Sequence, residues 1–506
     1  MPLKSIASIL QDHARSRGSA PAVTYPEGSL TWAELDRRSN QRARWLASVG
    51  VRQDDLVVIM LPNSCEFHEA TVAVWKAGAT PCVLPSKLPG REASEIIALA
   101  APTAVIGDVP FAYDGPRLPA GAALDSYSDA PVKDAGASSW KAVASGGSSG
   151  RPKIIVDTMP AFIDTDAAPY RLLGFSPDGA MLNPGPLYHN MPFLFTSFGL
   201  LAGTHVVGMN RFDAETFLQL VERYKIDFVA VVPTMMQRIW ALPEAVRAAY
   251  DVSSLKSVWH MSAPCPQWVK RAWIEWLGPD RIFEAYGGTE GSGTAITGRE
   301  WLAKPGSVGK VTPGTVRILR EDGSEAAVGE IGEVHLPAAA RAKFRYIGAE
   351  ANIDAAGGYS IGDLGHIDED GYLFLADRRS DLIIRGGANV YPAEVEAVLD
   401  EHPLVSSSAV IGLPAEDLGE RVHAILQLRP GAPLDLASII AHVDDRLSKY
   451  KRPTSYEVID TPLRDDAGKV RRSLLKAERV AWLGAGREFE VDLSSSLAAA
   501  SGSAVR

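Results

Sequence analysis

The feature that most constrains the fold of this chain is the alternation of two hydrophobic periods along its first three quarters. Residues 56–61, "LVVIML", form a continuous apolar run that reads as a buried strand. The following "EFHEATVAVWKAG" repeats its apolar positions at helical spacing and stops at Gly78. "TAVIGD" is again a short strand. Further on, "AETFLQLVERYK" places Phe217, Leu220, Val221 and Tyr224 on one helical face, and "DFVAVVP" follows at once as a buried strand. Such succession predicts an α/β fold. "VRILREDGSEAA" and "GEVHLP" predict a hairpin with a turn at Asp322-Gly323.

From about residue 377 the texture changes. "GYLFLADRRSDLIIRGG" predicts two short strands, and "PAEVEAVLDEH" a helix with Pro392 in its first turn. "SSSAVIGLP" and "HAILQLRPG" read as strands, and "LASIIAHVDDRLSKY" as a helix. This is a compact α+β unit of about a hundred residues, large enough to be a domain. The predicted organisation is a large multi-subdomain α/β domain over 1–379, a small α+β domain over 380–480, and a tail over 481–506. The tail's "SSSLAAASGSAVR" is low in complexity and reads as disordered.

Composition excludes several functions. The chain has 506 residues and a net charge of −10, from 51 basic and 61 acidic residues, with no long basic block. A nucleic-acid backbone is therefore not expected as a partner. No apolar run approaches the ~18 residues that span a bilayer. The N-terminal "MPLKSIASILQDHARSRG" carries a helical stripe of Ile6, Ile9 and Leu10, without the long apolar core or cleavage site of a signal peptide. Cys65, Cys82 and Cys265 are widely spaced, which argues against a disulfide framework or zinc site and fits a reducing cytoplasm. Cys265, in "SAPCPQ", reads as a buried packing thiol, with a nucleophile as the alternative.

Four motifs carry chemistry. The first is "ASGGSSGRPKIIVD", residues 144–157. A Walker loop would end in Gly-Lys-Ser/Thr and lead into a helix. Here Gly150 is followed by Arg151 and Pro152, and "KIIVD" is strand-like, as is "WKAVAS" before the loop. The prediction is a hairpin whose tip wraps an anion with backbone N–H groups, Ser145, Ser148 and Ser149, with Lys153 adding positive charge. A plain surface loop is the alternative. The second motif is "EAYGGTEG", residues 284–291. Gly287 and Gly288 admit close approach of a ligand. Tyr286 offers a ring to a base, Thr289 a hydroxyl to a phosphate, and Glu290 a hard oxygen to Mg²⁺. The third runs from Tyr359 to Glu396. Asp363, between glycines, suits two ribose hydroxyls, Arg378 lies at the predicted domain junction, and "IIRGGANVYP" puts two glycines between a strand and a helix where a slim ligand arm would pass. The fourth is "PLRDDAGKVRRSLL", where Lys469 follows a glycine in a polar turn. Each has a bland reading when taken alone.

Together, in this order and spacing, they resemble the adenylate-forming superfamily of acyl-CoA synthetases, peptide-synthetase adenylation domains and luciferases. The resemblance extends from residue 29 to residue 475, and "PLYHN", "APCPQWVKRAW" and "DRRSDLIIRGGANVYPAEVE" look most like the acyl-CoA ligase branch. It implies ATP, Mg²⁺ and coenzyme A as ligands, and a large domain followed by a small mobile one. It implies that Ser145, Gly146, Gly147, Ser148, Ser149, Gly150 and Lys153 close on the β- and γ-phosphates. Glu290 would help hold Mg²⁺, Thr289 would contact the α-phosphate, and Asp363 and Arg378 would hold the ribose. Ala263, Pro264, Tyr286 and Gly287 would flank the adenine. Lys469 would bridge carboxylate and phosphate oxygens, and Gly386 and Gly387 would flank the pantetheine arm. The hinge position matches Ser380, where many relatives carry Asp or Lys. His189, Asn190, Phe193 and Gly288 would line the acid site, and His189 matches a gating position. An aspartate for an amino group is absent from "PLYHNMPFLFTSFGLLAG", which favours a hydrophobic or aromatic acid over an amino acid. The competing readings are a stand-alone amide synthetase using an amine, a noncatalytic binding relative and a luciferase-like oxygenase.

Overall fold

The computed structural model describes residues 3–133, 135–146, 152–165, 169–337, 343–415, 418–465, 468–487, 489 and 491–492. They form two compact units, one from residues 1–262, 273–303 and 336–359, the other from 263–272, 304–335 and 360–506.

The first unit contains two sheets with parallel interiors. In one, Ala180–Asn183 lies between His205–Gly208 and Phe228–Val231, and Ser257–His260 and Ile282–Gly288 continue the parallel order. In the other, Leu56–Met60 lies between Thr80–Val83 and Ala104–Gly107. Ala104–Gly107 and Phe228–Val231 are buried at every residue, because parallel strands are covered on both faces. Two of the helices between the strands begin at a polar cap. Ser64 accepts the Phe67 N–H ahead of Cys65–Lys76, and Asp213 accepts the Thr216 N–H ahead of Ala214–Tyr224. Phe217, Leu218 and Val221 form the buried face of the latter, while Leu220 and Tyr224 are half-buried.

Each parallel sheet ends in an antiparallel hairpin, and these hairpins carry the first two motifs. Ala142–Gly146 joins Thr80–Val83 in parallel and turns back as Pro152–Asp157. Ile282–Gly288 turns back as Gly291–Thr297.

The second unit holds an antiparallel sheet in the order Ser307–Lys310, Tyr372–Arg378, Tyr359–Ile367, Gly332–Leu336, Arg317–Leu319. The last two strands form the expected hairpin, and Gly323 N–H closes a turn on the Arg320 carbonyl. A further sheet pairs Val405–Ala415 with Gly419–Leu428 along most of their length and adds Ser455–Val458 in parallel. Helices Pro392–Asp400 and Leu436–Arg446 supply Val395, Leu399, Ile439 and Val443 to its core.

Two expectations change here. The segment after residue 480 is not irregular at its start: helix Arg472–Gly484 runs through it, Trp482 and Leu483 pack on a core that includes Phe489, and Val491–Asp492 pairs with Ser455–Val458. Bulky apolar side chains at 482, 483 and 489 bury apolar area, which favours ordered packing over the irregular chain expected there. Residues 493–506 lie outside the described residues. Cys265 is half-buried, not buried, and only Cys82 is fully buried. Among the described residues no helix is long and apolar enough to cross a membrane.

The second unit also carries a pH-sensitive core group. Asp400 is buried and accepts a hydrogen bond from Ser408 Oγ at 2.7 Å. Burial raises its pKa from 3.8 to about 7, with Arg464 opposing. Between those values the folded chain keeps a proton that the unfolded chain has released, so this group's stabilising contribution is complete below the lower value and is lost as pH rises through the upper. Asp400→Asn removes that loss. The melting temperature of the variant relative to wild type is expected to be higher at pH 8 than at pH 5, and an equal difference at both pH values would refute this origin.

Candidate active site

The Ser/Gly hairpin has the predicted geometry at its base. Ser145 pairs with Lys153 and Gly146 with Pro152, and the chain continues as strand rather than helix. Gly147, Ser148, Ser149 and Gly150 lie outside the described residues, as does the side chain of Ser145. In the second hairpin Gly288 pairs with Gly291, which makes Thr289 and Glu290 a two-residue turn. Tyr286 is buried, and a Cβ at Gly293 would come within 2.9 Å of its ring, so that glycine is needed for the ring to lie there. Gly287 is exposed, while Gly288 and Thr289 are half-buried.

Glu290 and Lys153, 137 residues apart in sequence, meet at 3.1 Å through Oε1 and Nζ. The same Oε1 accepts the Tyr346 hydroxyl at 2.5 Å, and Lys153 Nζ stands 4.0 Å from the centre of the Tyr346 ring. Tyr346 arrives on Phe344–Ile347, the strand beside Pro152–Asp157, where it pairs with Ile155. Burial and the Glu290 carboxylate both push the Tyr346 hydroxyl above the ordinary tyrosine range, which keeps it a neutral donor. Tyr359 is shifted the same way, first by burial and then by Glu290. Its buried hydroxyl has no hydrogen-bond partner among the described residues. Glu290 Oε2 likewise accepts no hydrogen bond among them. One carboxylate oxygen held by a cation and a phenol, with the other accepting no hydrogen bond among the described residues, suits Mg²⁺. That ion keeps several waters and takes one or two carboxylates besides substrate phosphates.

The predicted acid-site residues begin the helix Asn190–Ala202. His189 is its N-cap residue, half-buried, with its ring 4.4 Å from that of Tyr188. Asn190 Oδ1 accepts Lys141 Nζ at 2.5 Å. Lys141 is buried, and Asp157 Oδ2 lies 3.7 Å away. Burial lowers the Lys141 pKa, while Asp157 and then Glu290 oppose the shift. Phe193 is a core residue at 1% exposure, with its ring among those of Phe67, Trp75 and Trp140.

In the second unit, Asp363 and Arg378 are cross-strand partners, with Nε and Oδ1 3.4 Å apart. Ala263 and Pro264 precede the helix Gln267–Leu277, and Ser262 just before them adopts φ +76°. That conformation is sparsely populated for a residue with a Cβ, and it concentrates at ligand-binding segments. Ser380 sits in a 3₁₀ turn, donating to Asp381 Oδ1 at 3.0 Å, and Asp381 receives Arg472 at 2.9 Å. Lys469 is exposed on a tight turn: Asp465 Oδ1 accepts its N–H at 2.9 Å and Asp465 N–H donates to its carbonyl at 3.0 Å.

Gly386 and Gly387 require a correction. They are not a strand-to-helix connection but the two-residue turn of a hairpin between Ile383–Arg385 and Ala388–Val390. Their φ values are +55° and +81°, and a Cβ at Gly387 would meet nothing within 4 Å. The turn's positive φ at both positions accounts for the pair without a ligand.

Sequence reasoning missed Lys141, Tyr346 and Tyr359. A lysine beside Trp140 at the start of an apolar strand was a visible anomaly. Tyr359 opens the third motif without a role assigned to it, Tyr346 stands in none, and only strand pairing brings Tyr346 to Lys153.

Comparison with known proteins agrees in extent. A family model described as AMP-binding enzyme matches residues 10–340, and one described as AMP-binding enzyme C-terminal domain matches residues 394–469. A feruloyl-CoA synthase of Amycolatopsis sp is 32% identical over 490 residues, covering 90% of this chain and 95% of its own length. A 2-succinylbenzoate–CoA ligase of Geobacillus kaustophilus is 31% identical over 468 residues, covering 90% and 94%. The solved structure of ATP-bound MatB from Rhodopseudomonas palustris superposes with a TM-score of 0.79 at 26% identity, covering 94% of this chain and 99% of that one.

Proposed function

We propose, from the premise that this chain belongs to the AMP-binding enzymes, that it is an ATP-dependent carboxylate–CoA ligase. It joins a carboxylic acid to AMP with release of pyrophosphate, then passes the acyl group to the thiol of coenzyme A. The observation that carries the first half is the Lys153–Glu290 contact, which brings the cation of one motif hairpin to the carboxylate of the other. Support for the second half comes from two relatives above 30% identity, named feruloyl-CoA synthase and 2-succinylbenzoate–CoA ligase and covered over 95% and 94% of their length.

The difficulty of the first step is charge. A carboxylate oxygen attacks the α-phosphorus of a polyanion while the bond to pyrophosphate breaks, so positive charge and alignment dominate the barrier. In this reading the backbone of residues 145–150 and Lys153 hold the β- and γ-phosphates, and Thr289 holds the α-phosphate. Lys469 supplies the charge between carboxylate and phosphate. Glu290 would hold Mg²⁺, which when bound offsets phosphate charge. Asp363, paired across the strands with Arg378, takes the ribose hydroxyls. Tyr286 with Gly287 and the Ala263-Pro264 backbone take the adenine. His189, Asn190 and Gly288 border a hydrophobic or aromatic acid, with Phe193 fixing the helix behind them. Ser380 is the hinge of the small domain, and Gly386 and Gly387 remain the proposed pantetheine passage, now as a turn that presents bare backbone. Three cysteines outside any disulfide, and the need for ATP and CoA, suit a cytoplasmic setting.

The test is pyrophosphate release over a panel of acids, with CoA and simple amines supplied separately. Acid-dependent release with a CoA thioester as product is expected. An amide formed without CoA would replace this reading with an amide synthetase, and no release with any acid would leave a binding protein.

A further inference from the structure

Lys141 is a costly residue for its position. Its side chain is 5% exposed at the base of the Ser/Gly hairpin, next to the aromatic packing of Trp140 on Phe198 and Phe193. A buried ammonium loses its hydration and must recover it from fixed partners. One partner is Asp157, itself fixed by the Trp140 Nε1–H at 2.9 Å and the Met159 N–H at 2.9 Å. The other is Asn190 Oδ1.

The second contact has a directional consequence. An ammonium donates and never accepts, so it selects the oxygen of the Asn190 amide and turns the NH₂ group away. Among the described residues Nδ2 has no partner. Asn190 is half-buried next to His189 at the start of the helix, in the segment assigned above to the acid. Because Asp157 already balances the lysine, the arrangement offers a neutral donor and no uncompensated positive charge.

Resting on the ligase reading, we infer that Asn190, held by Lys141, gives the acid site a hydrogen-bond donor that selects monocarboxylic acids bearing a neutral oxygen acceptor (hydroxyl, ether or keto) over their plain hydrocarbon counterparts. Asn190 meets the acid, and Lys141 is a positioning residue acting through it. An acid lacking the oxygen leaves the donor unpaired in a partly buried site, and sites built to hydrogen-bond a substrate discriminate most strongly against analogues that lack the partner. A second carboxylate is not favoured at Asn190, since Asp157 already balances Lys141.

The experiment compares kcat/KM for matched aryl acids that differ by one ring oxygen, and for the corresponding dicarboxylic acid, in wild type, Asn190→Ala, Lys141→Met and the double variant. Wild type is expected to prefer the oxygenated monoacid. That preference should fall about tenfold in each single variant, mainly through KM, as expected for one hydrogen bond of ~1.4 kcal/mol. The double variant should lose no more than Asn190→Ala, because the lysine acts only through the asparagine. If Lys141→Met fails to fold, Asn190→Ala decides alone. A wild-type preference near one, a preference for the dicarboxylic acid, or an Asn190→Ala enzyme that keeps the wild-type ratio overturns this inference while leaving the ligase intact. Absence of turnover with every acid overturns the ligase reading and this inference with it.

Discussion

Lys469→Ala is expected to lose adenylation by on the order of a thousandfold while melting at the wild-type temperature. Lys469 is exposed, and its backbone N–H and carbonyl hydrogen-bond Asp465, so truncation beyond Cβ leaves these two hydrogen bonds in place. The lost quantity is charge opposite the oxygens that gain it in the transition state, and removing one such group typically costs about 3–4 kcal/mol. Acyl transfer from supplied acyl-AMP to CoA forms no new bond to phosphorus and should retain far more of its rate. The two half-reactions are separable by pyrophosphate release and by thioester formation from synthetic acyl-AMP. Adenylation at the wild-type rate would remove Lys469 from the mechanism.

Glu290→Gln should have the second largest effect. The amide keeps the shape and an oxygen for the Tyr346 hydroxyl but loses the charge that faces Lys153. Adenylation is expected to fall by about a hundredfold, with a higher magnesium concentration needed for half-maximal rate. Glu290→Ala goes further and leaves Lys153 with only the face of the Tyr346 ring. Breaking a buried pair costs roughly 3–5 kcal/mol, and the 22% exposure of the lysine side chain places this one at or below the lower end. A lowered melting temperature for the alanine variant with an unchanged magnesium response in the glutamine variant would make Glu290 a structural residue.

Much of this was legible in the chain. Apolar runs of strand length between helical stretches specify parallel strands covered by helices, since no other packing buries both. The Ser/Gly loop was readable as a hairpin because β-branched residues follow it, whereas Thr289-Glu290 becomes a two-residue turn only through the pairing of Gly288 with Gly291. Asp363 and Arg378 stood in the motif, yet their pairing needed the register of two strands. Gly386-Gly387 misled because a two-residue hairpin turn and a strand-to-helix connection use the same residues, and only φ distinguishes them. The tail misled because its low-complexity last residues drew attention from Trp482, Leu483 and Phe489 ahead of them.

Local pattern is a property of neighbours in sequence, so the chain by itself determined the strands, the helices and the chemistry of each motif. Which side chains meet depends on which strands pair and in what register, and a shift of one residue would turn each side chain to the other face. Tyr346 reaches Lys153 because it pairs opposite Ile155, and Lys141 reaches Asn190 because the hairpin base packs against that helix's first turn. Those meetings, which give Glu290 its partners and Asn190 its direction, were decided by tertiary structure alone.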